Sequence, residues 1–146
     1  MSSFTAALIV RVEQRERSGR GLYTLVEPFT YQVGTENSGK AITVRKGFET
    51  DFASIPWFAR WLISPSGLHA KAALIHDGLY RGVVDLDGLN YPTRSETEAI
   101  FKEAMQVLNV PKTRRLAIFC FVRIFGGRVW KNLKQSREKN QVRFDV

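Results

Sequence analysis

The sequence predicts an α+β fold in which a small N-terminal antiparallel sheet is followed by a three- to four-helix C-terminal part. Apolar residues alternate with others at Phe4, Ala6, Leu8, Val10 and Val12, the period of a half-buried strand. The character changes at Gly47, after which the chain reads as a loop and then as helices. Thr93 or Ser95, with Glu96 or Glu98 three residues further on, forms the start signal of a capped helix.

Taken in order, Ser18 to Gly21 is a turn, and Tyr23 to Val33 supplies one or two strands with Pro28 at a bend or an edge. Glu36 to Gly39 is a second turn and Ala41 to Val44 a further strand. Pro56 fits the first turn of a short helix over Trp57 to Ile63, which Ser64 to Gly67 breaks. A second helix runs from about Leu68 to Tyr80, and Gly82 to Thr93 reads as a loop. The capped third helix extends to about Leu108 and is closed by Pro111. A strongly apolar fourth covers about Thr113 to Phe125, with Gly126 and Gly127 as its break. Residues 1–131 read as one domain and 132–146 as a basic C-terminal tail.

At 146 residues, 44% hydrophobic and 25% charged, the chain is long enough for a core and too apolar for a disordered segment. Its single cysteine, Cys120, excludes an intrachain disulfide and, inside an apolar run, reads as a small buried hydrophobe. No signal-peptide pattern opens the sequence, and with a single cysteine a reducing compartment or an assembly context is the expected location. The most apolar run, Leu116 to Phe125, contains Arg123 and falls short of the ~20 residues of a membrane span. Charge is uneven. Residues 1–111 hold 12 Lys/Arg and 12 Asp/Glu, whereas residues 112–146 hold 10 and 2, so the net +8 resides entirely in residues 112–146. Arg114, Arg115, Arg123, Arg128, Lys131 and Lys134 are therefore the candidate surface for nucleic acid, anionic lipid or an acidic partner. A solvated helix end followed by a tail is the plainer reading of the same charge.

Side chains able to do chemistry are Asp51, Ser54, His76, Asp77, Tyr80, Arg94, Glu96 and Glu98. On a helix His76 and Asp77 point about 100° apart, so they serve neighbouring sites rather than one another. Tyr80 lies one turn beyond and reaches the same region. Glu98 continues the stripe of Phe101, Met105 and Leu108, an apolar face on which a carboxylate is costly unless paired. A histidine on an antiparallel neighbouring helix would satisfy it, and Glu98 would in turn fix the imidazole tautomer of a general base. The structural alternative pairs Glu98 with Arg94 or Lys102, and Asp77 with Arg81. Asp51 either caps the helix that Pro56 begins, as Ser54 could, or provides an oxygen ligand for a hard cation beside Asp77. His69 stands alone at a helix start. Phosphate-binding glycine loops, paired CxxC motifs and nucleophile elbows are absent.

Four stretches, Gly47 to Pro56, His76 to Tyr80, Arg94 to Met105 and Val122 to Trp130, resemble in order an uncharacterised family of phage and prophage proteins, domain of unknown function 1353. One departure is Thr97-Glu98, where that family usually carries Ala-Asp. The His-Asp-x-x-Tyr stretch followed by a carboxylate helix is also similar to the catalytic helix pair of phospholipase A2, although the glycine-rich calcium loop is missing. By position, that similarity implies His76 as base, Asp77 as ligand of calcium or another hard divalent cation, and Glu98 as the orienting carboxylate.

Three functions follow as expectations. The first is a phage enzyme, virion- or tail-associated, that hydrolyses an ester or amide of the host envelope, with His76, Glu98 and Tyr80 catalytic and Asp77 and Asp51 holding the metal. The second is a non-catalytic tail or baseplate subunit docking on virion proteins through its basic last third. The third is nucleic-acid binding through the six basic residues, which charge supports and no recognition motif does.

Overall fold

A computed structural model of the chain describes residues 3–4, 10–14, 21–35, 38–50 and 70–144. Six strands come first: β1 (Ser3–Phe4), β2 (Val10–Gln14), β3 (Gly21–Leu25), β4 (Phe29–Gln32), β5 (Ala41–Val44) and β6 (Glu49–Thr50). Helix α1 (Ala70–Arg81), strand β7 (Val84–Asp87) and helices α2 (Arg94–Val107), α3 (Lys112–Asn132) and α4 (Lys134–Phe144) follow. The α+β class is as the sequence reads, with the strands arranged antiparallel in two sheets ordered β1-β4-β5-β7 and β2-β3-β6. Pro28 sits between β3 and β4, where a residue without an amide donor interrupts no ladder.

The larger sheet has one face in the core. Phe29 and Tyr31 of β4, Ile42 and Val44 of β5, and Val84 of β7 are all buried, while their neighbours in sequence are not. On the other face the cross-strand pair Thr30 and Thr43 share a hydrogen bond of 2.8 Å. Leu74, Ile75 and Leu79 of α1 complete this layer, with Ile100, Phe101, Ala104 and Met105 of α2 and Ile118 of α3. Tyr31 reaches beyond the sheet: its hydroxyl donates to Glu103 Oε1 on α2 at 2.6 Å, and the Gly34 amide donates to the same oxygen at 2.8 Å.

The stretch expected to be a loop after α1 contains β7, which pairs with β5 from Val84 opposite Val44 to Asp87 opposite Ala41. Its Val-Asp-Leu-Asp alternation lies between Gly82 and Gly88, too short to stand out by period alone. The Gly126-Gly127 pair does not break a helix, since α3 runs through both to Asn132. The basic stretch beyond 132 is largely helical, and its Arg137 is buried. Gly82 marks where α4 docks. It adopts φ +79°, and a Cβ there would lie 2.6 Å from Arg137 Cα. Cys120, expected to be buried, is exposed, because α3 has apolar residues on all sides and turns only part of its circumference inward. The expected helix over 57–63, Asp51, Ser54 and His69 lie outside the described residues.

Candidate functional site

Local sequence aims Glu98 inward. Thr93 caps α2: its hydroxyl accepts from the Glu96 amide, and the Glu96 carboxylate accepts from the Thr93 amide. Of the two glutamates able to close the capping box, Glu96 does so at the exposed helix start. Glu98, two residues on, falls on the same face as Phe101 and Met105 and is fully buried.

Three groups converge on that carboxylate. His76 Nε2 lies 3.3 Å from Glu98 Oε2 and 3.4 Å from Oε1. The Tyr80 hydroxyl donates to Oε1, and Arg94 Nε stands 4.0 Å away. His76 also packs on Phe101, with ring centroids 4.6 Å apart, and on Tyr80 at 4.3 Å. Because His76 meets Phe101 while Tyr80, one turn later, meets Glu98, α1 and α2 run in opposite senses across the site. α3 closes it from above. A Cβ on Gly126 would lie 2.6 Å from the Tyr80 hydroxyl and 3.6 Å from Glu98 Oε1, and one on Gly127 3.3 Å from the Arg94 guanidinium. Arg94 Nη2 donates to the backbone carbonyls of Val122 and Arg123, tying the start of α2 to α3. Trp130 meets Tyr80 edge-on at 5.0 Å and carries the Arg137 guanidinium 3.6 Å above its ring.

Burial pushes the Glu98 carboxyl pKa up, but the hydrogen bond and charge of His76, the Tyr80 hydroxyl and the Arg94 charge outweigh it, leaving the pKa below its usual value. Glu98 is therefore a buried anion with donors on several sides. Burial, then the hydrogen bond and charge of Glu98, raises the Tyr80 phenol well above its ordinary range, so it remains a donor. The His76 side chain retains 15% exposure while Glu98 has none. An ionised carboxylate fixes the proton of a neutral imidazole on Nε2, which leaves the Nδ1 lone pair to act as a base.

Asp77 points elsewhere, as adjacent helical residues must. Its Oδ1 pairs with Arg81 Nε at 3.2 Å, and its buried Oδ2 has no hydrogen-bond partner among the described residues. Arg81 in turn lies 5.7 Å from the centre of the Phe48 ring. A hard cation such as calcium takes six to eight oxygen ligands. Among the described residues no three His, Cys, Asp or Glu side chains converge, and Asp77 already faces a guanidinium. The described residues do not by themselves fit a calcium site, and the second expected ligand, Asp51, lies outside them.

The six basic candidates are engaged differently. Arg115 Nη1 donates to the Val110 carbonyl and Arg123 Nη1 to Ser95, whereas Arg114 and Arg128 are exposed on α3. Lys131 and Lys134 line an open groove with Tyr91, Trp130 and Arg137. Sequence reasoning found His76, Tyr80, Arg94 and Glu98 but missed Gly126, Gly127, Trp130 and Arg137. An adjacent glycine pair within an apolar helical run was the available signal of a close helix approach.

With this geometry in place, comparison with known families gives one match: residues 23–122 fit the family described as protein of unknown function (DUF1353). The chain belongs to the DUF1353 family. The matched span runs from β3 into α3, so the DUF1353 region contains His76, Asp77, Tyr80, Arg94 and Glu98 and ends before Gly126. No curated protein and no solved structure matches the chain.

Proposed function

We propose that this DUF1353 chain is a phage or prophage protein, carried on the virion or its tail, that hydrolyses an ester or amide of the host envelope with His76 as general base. The observation that carries the reading is a fully buried carboxylate beside a histidine whose side chain stays partly exposed. Burying a lone carboxylate is costly, and here it is compensated by groups that also orient an imidazole. In the proposed step Nδ1 of His76 takes a proton from water as the oxygen attacks the carbonyl carbon. The resulting imidazolium is stabilised by Glu98 and returns the proton to the leaving oxygen or nitrogen as the bond to carbon breaks.

The test is hydrolysis by the full chain of chromogenic carboxylate esters, phospholipids and peptidoglycan amides. His76→Ala should reduce turnover by about 100-fold or more, the usual worth of a general base. A fully active His76→Ala protein removes the reading.

A second reading is favoured by one observation: Glu98, Tyr80 and Arg94 link three helices, α1, α2 and α3. On that reading the cluster is a structural fastener in a tail or baseplate subunit, and the basic last third docks on an acidic virion neighbour. Charge reversal at Lys131 and Lys134 should then lower incorporation into phage particles. Normal incorporation counts against it.

A further inference from the structure

The exposed apolar side chains of α3 are used by neither reading. Ile124 is 73% exposed, Phe125 52% and Leu116 39%, a run of large apolar side chains uncovered on one helix. Phe121 stacks on Phe125 with ring centroids 4.7 Å apart, and Cys120 is exposed between them and Leu116. The apolar stretch from 116 to 125 extends about 14 Å along the axis. Exposed cations lie beyond both ends, Arg114 on one side and Arg128 and Lys131 on the other, while Arg123 within the stretch reaches to Ser95 of α2. Between residues 104 and 137 there are eight Lys/Arg and no Asp or Glu.

We propose that α3 docks on an anionic lipid bilayer surface. It would lie in the interface plane, with Ile124 and Phe125 at the boundary between headgroups and acyl chains and Arg114, Arg128 and Lys131 on lipid phosphates. Apolar side chains in the middle of a helix with long basic side chains at its ends match the chemistry of that boundary, where aliphatic stems lie along the lipid and charged heads meet phosphate. Charge decides against a second copy of the chain, since pairing two α3 faces sets cation against cation with no carboxylate on the helix to answer. The exposed Ile124 and Phe125 favour the bilayer over an acidic peptide, which would answer the charge but offer no apolar layer to cover them. Among the described residues no helix is long and apolar enough to cross a membrane, so α3 lies on the surface rather than through it. Docking needs no hydrolysis and stands or falls apart from it.

The test is co-sedimentation of the full chain with phosphatidylglycerol-rich vesicles and with pure phosphatidylcholine vesicles. Binding is expected to the anionic vesicles, to weaken with salt, and to fall about tenfold or more in Ile124→Asp/Phe125→Asp, which loses two inserted apolar groups. Arg128→Glu/Lys131→Glu should lose binding at low salt, and because all four positions are exposed, both variants should keep the wild-type circular dichroism. Absence of binding to anionic vesicles at low salt overturns the proposal. So does undiminished binding by Ile124→Asp/Phe125→Asp, equal affinity for soluble polyglutamate, or a solution dimer that this double variant dissociates.

Discussion

The Tyr80 hydroxyl donates to Glu98 Oε1, the same oxygen that lies 3.4 Å from Nε2 of His76. Two side chains one turn apart on α1 thus share one carboxylate of α2. Removing the hydroxyl alone, in Tyr80→Phe, retains the ring against Trp130 and His76 and deletes one donor to a buried anion. A loss of about 1.5–3 kcal/mol is expected, the range for a hydrogen bond to a charged group, read by urea denaturation.

Acid stability should depend on Glu98. A carboxyl whose folded-state pKa lies below its unfolded value of 4.5 gives stability that is fully present above that value and lost as pH falls through the folded pKa. Thermal midpoints measured downward from neutral pH should therefore fall at acid pH, and Glu98→Gln should flatten that part of the profile while lowering stability at pH 7.

Alkaline stability should depend on Tyr91. Its hydroxyl donates to the Leu79 carbonyl, and burial pushes its pKa up to about 12. A raised pKa gives stability that is fully present below the ordinary value of 10.0 and lost as pH climbs towards 12. Tyr91→Phe should remove one tyrosinate absorbance step near the top of that range.

The glycine pair gives opposite results at neighbouring positions. Gly126→Ala places a methyl 2.6 Å from a hydroxyl held by Glu98, so about 1–3 kcal/mol of overpacking exceeds the roughly 1 kcal/mol gained in helix propensity. Gly127→Ala meets only the end of the flexible Arg94 side chain at 3.3 Å, and the propensity gain should prevail. Thermal midpoints of the two variants should move in opposite directions.

Arg137 anchors α4. Its Nη1 donates to the carbonyls of Tyr80 at 3.1 Å and Trp130 at 2.8 Å while its guanidinium covers the indole. Lysine offers neither the planar stack nor the fork of donors. Arg137→Lys should expose α4 to limited proteolysis while α1 and α2 stay protected.

What was legible in the sequence was local or strongly periodic. The Thr93 cap, the inward stripe of Glu98, Phe101 and Met105, and the separation of His76 from Asp77 all follow from helical geometry, and together they implied the imidazole–carboxylate contact. What escaped was decided by tertiary contact. Val84 to Asp87 is a strand because β5 offers an edge to pair with. Gly126 and Gly127 look like a break until Tyr80 and Arg94 are placed beneath them. Cys120 was misplaced because a helix that is apolar on every side gives no phase from which to tell inside from outside. Lys134 to Phe144 carries few apolar residues, and the contacts that dock it on the end of α1 come from the polar side chains of Ser136, Arg137, Asn140 and Gln141.

Glu103 accepts at once from a strand tyrosine and from the Gly34 amide in the turn after β4. That amide is consequently a native reporter of how firmly α2 is seated. Its exchange with deuterium can be followed by magnetic resonance without a label or dye, from a vantage on the sheet well removed from the histidine.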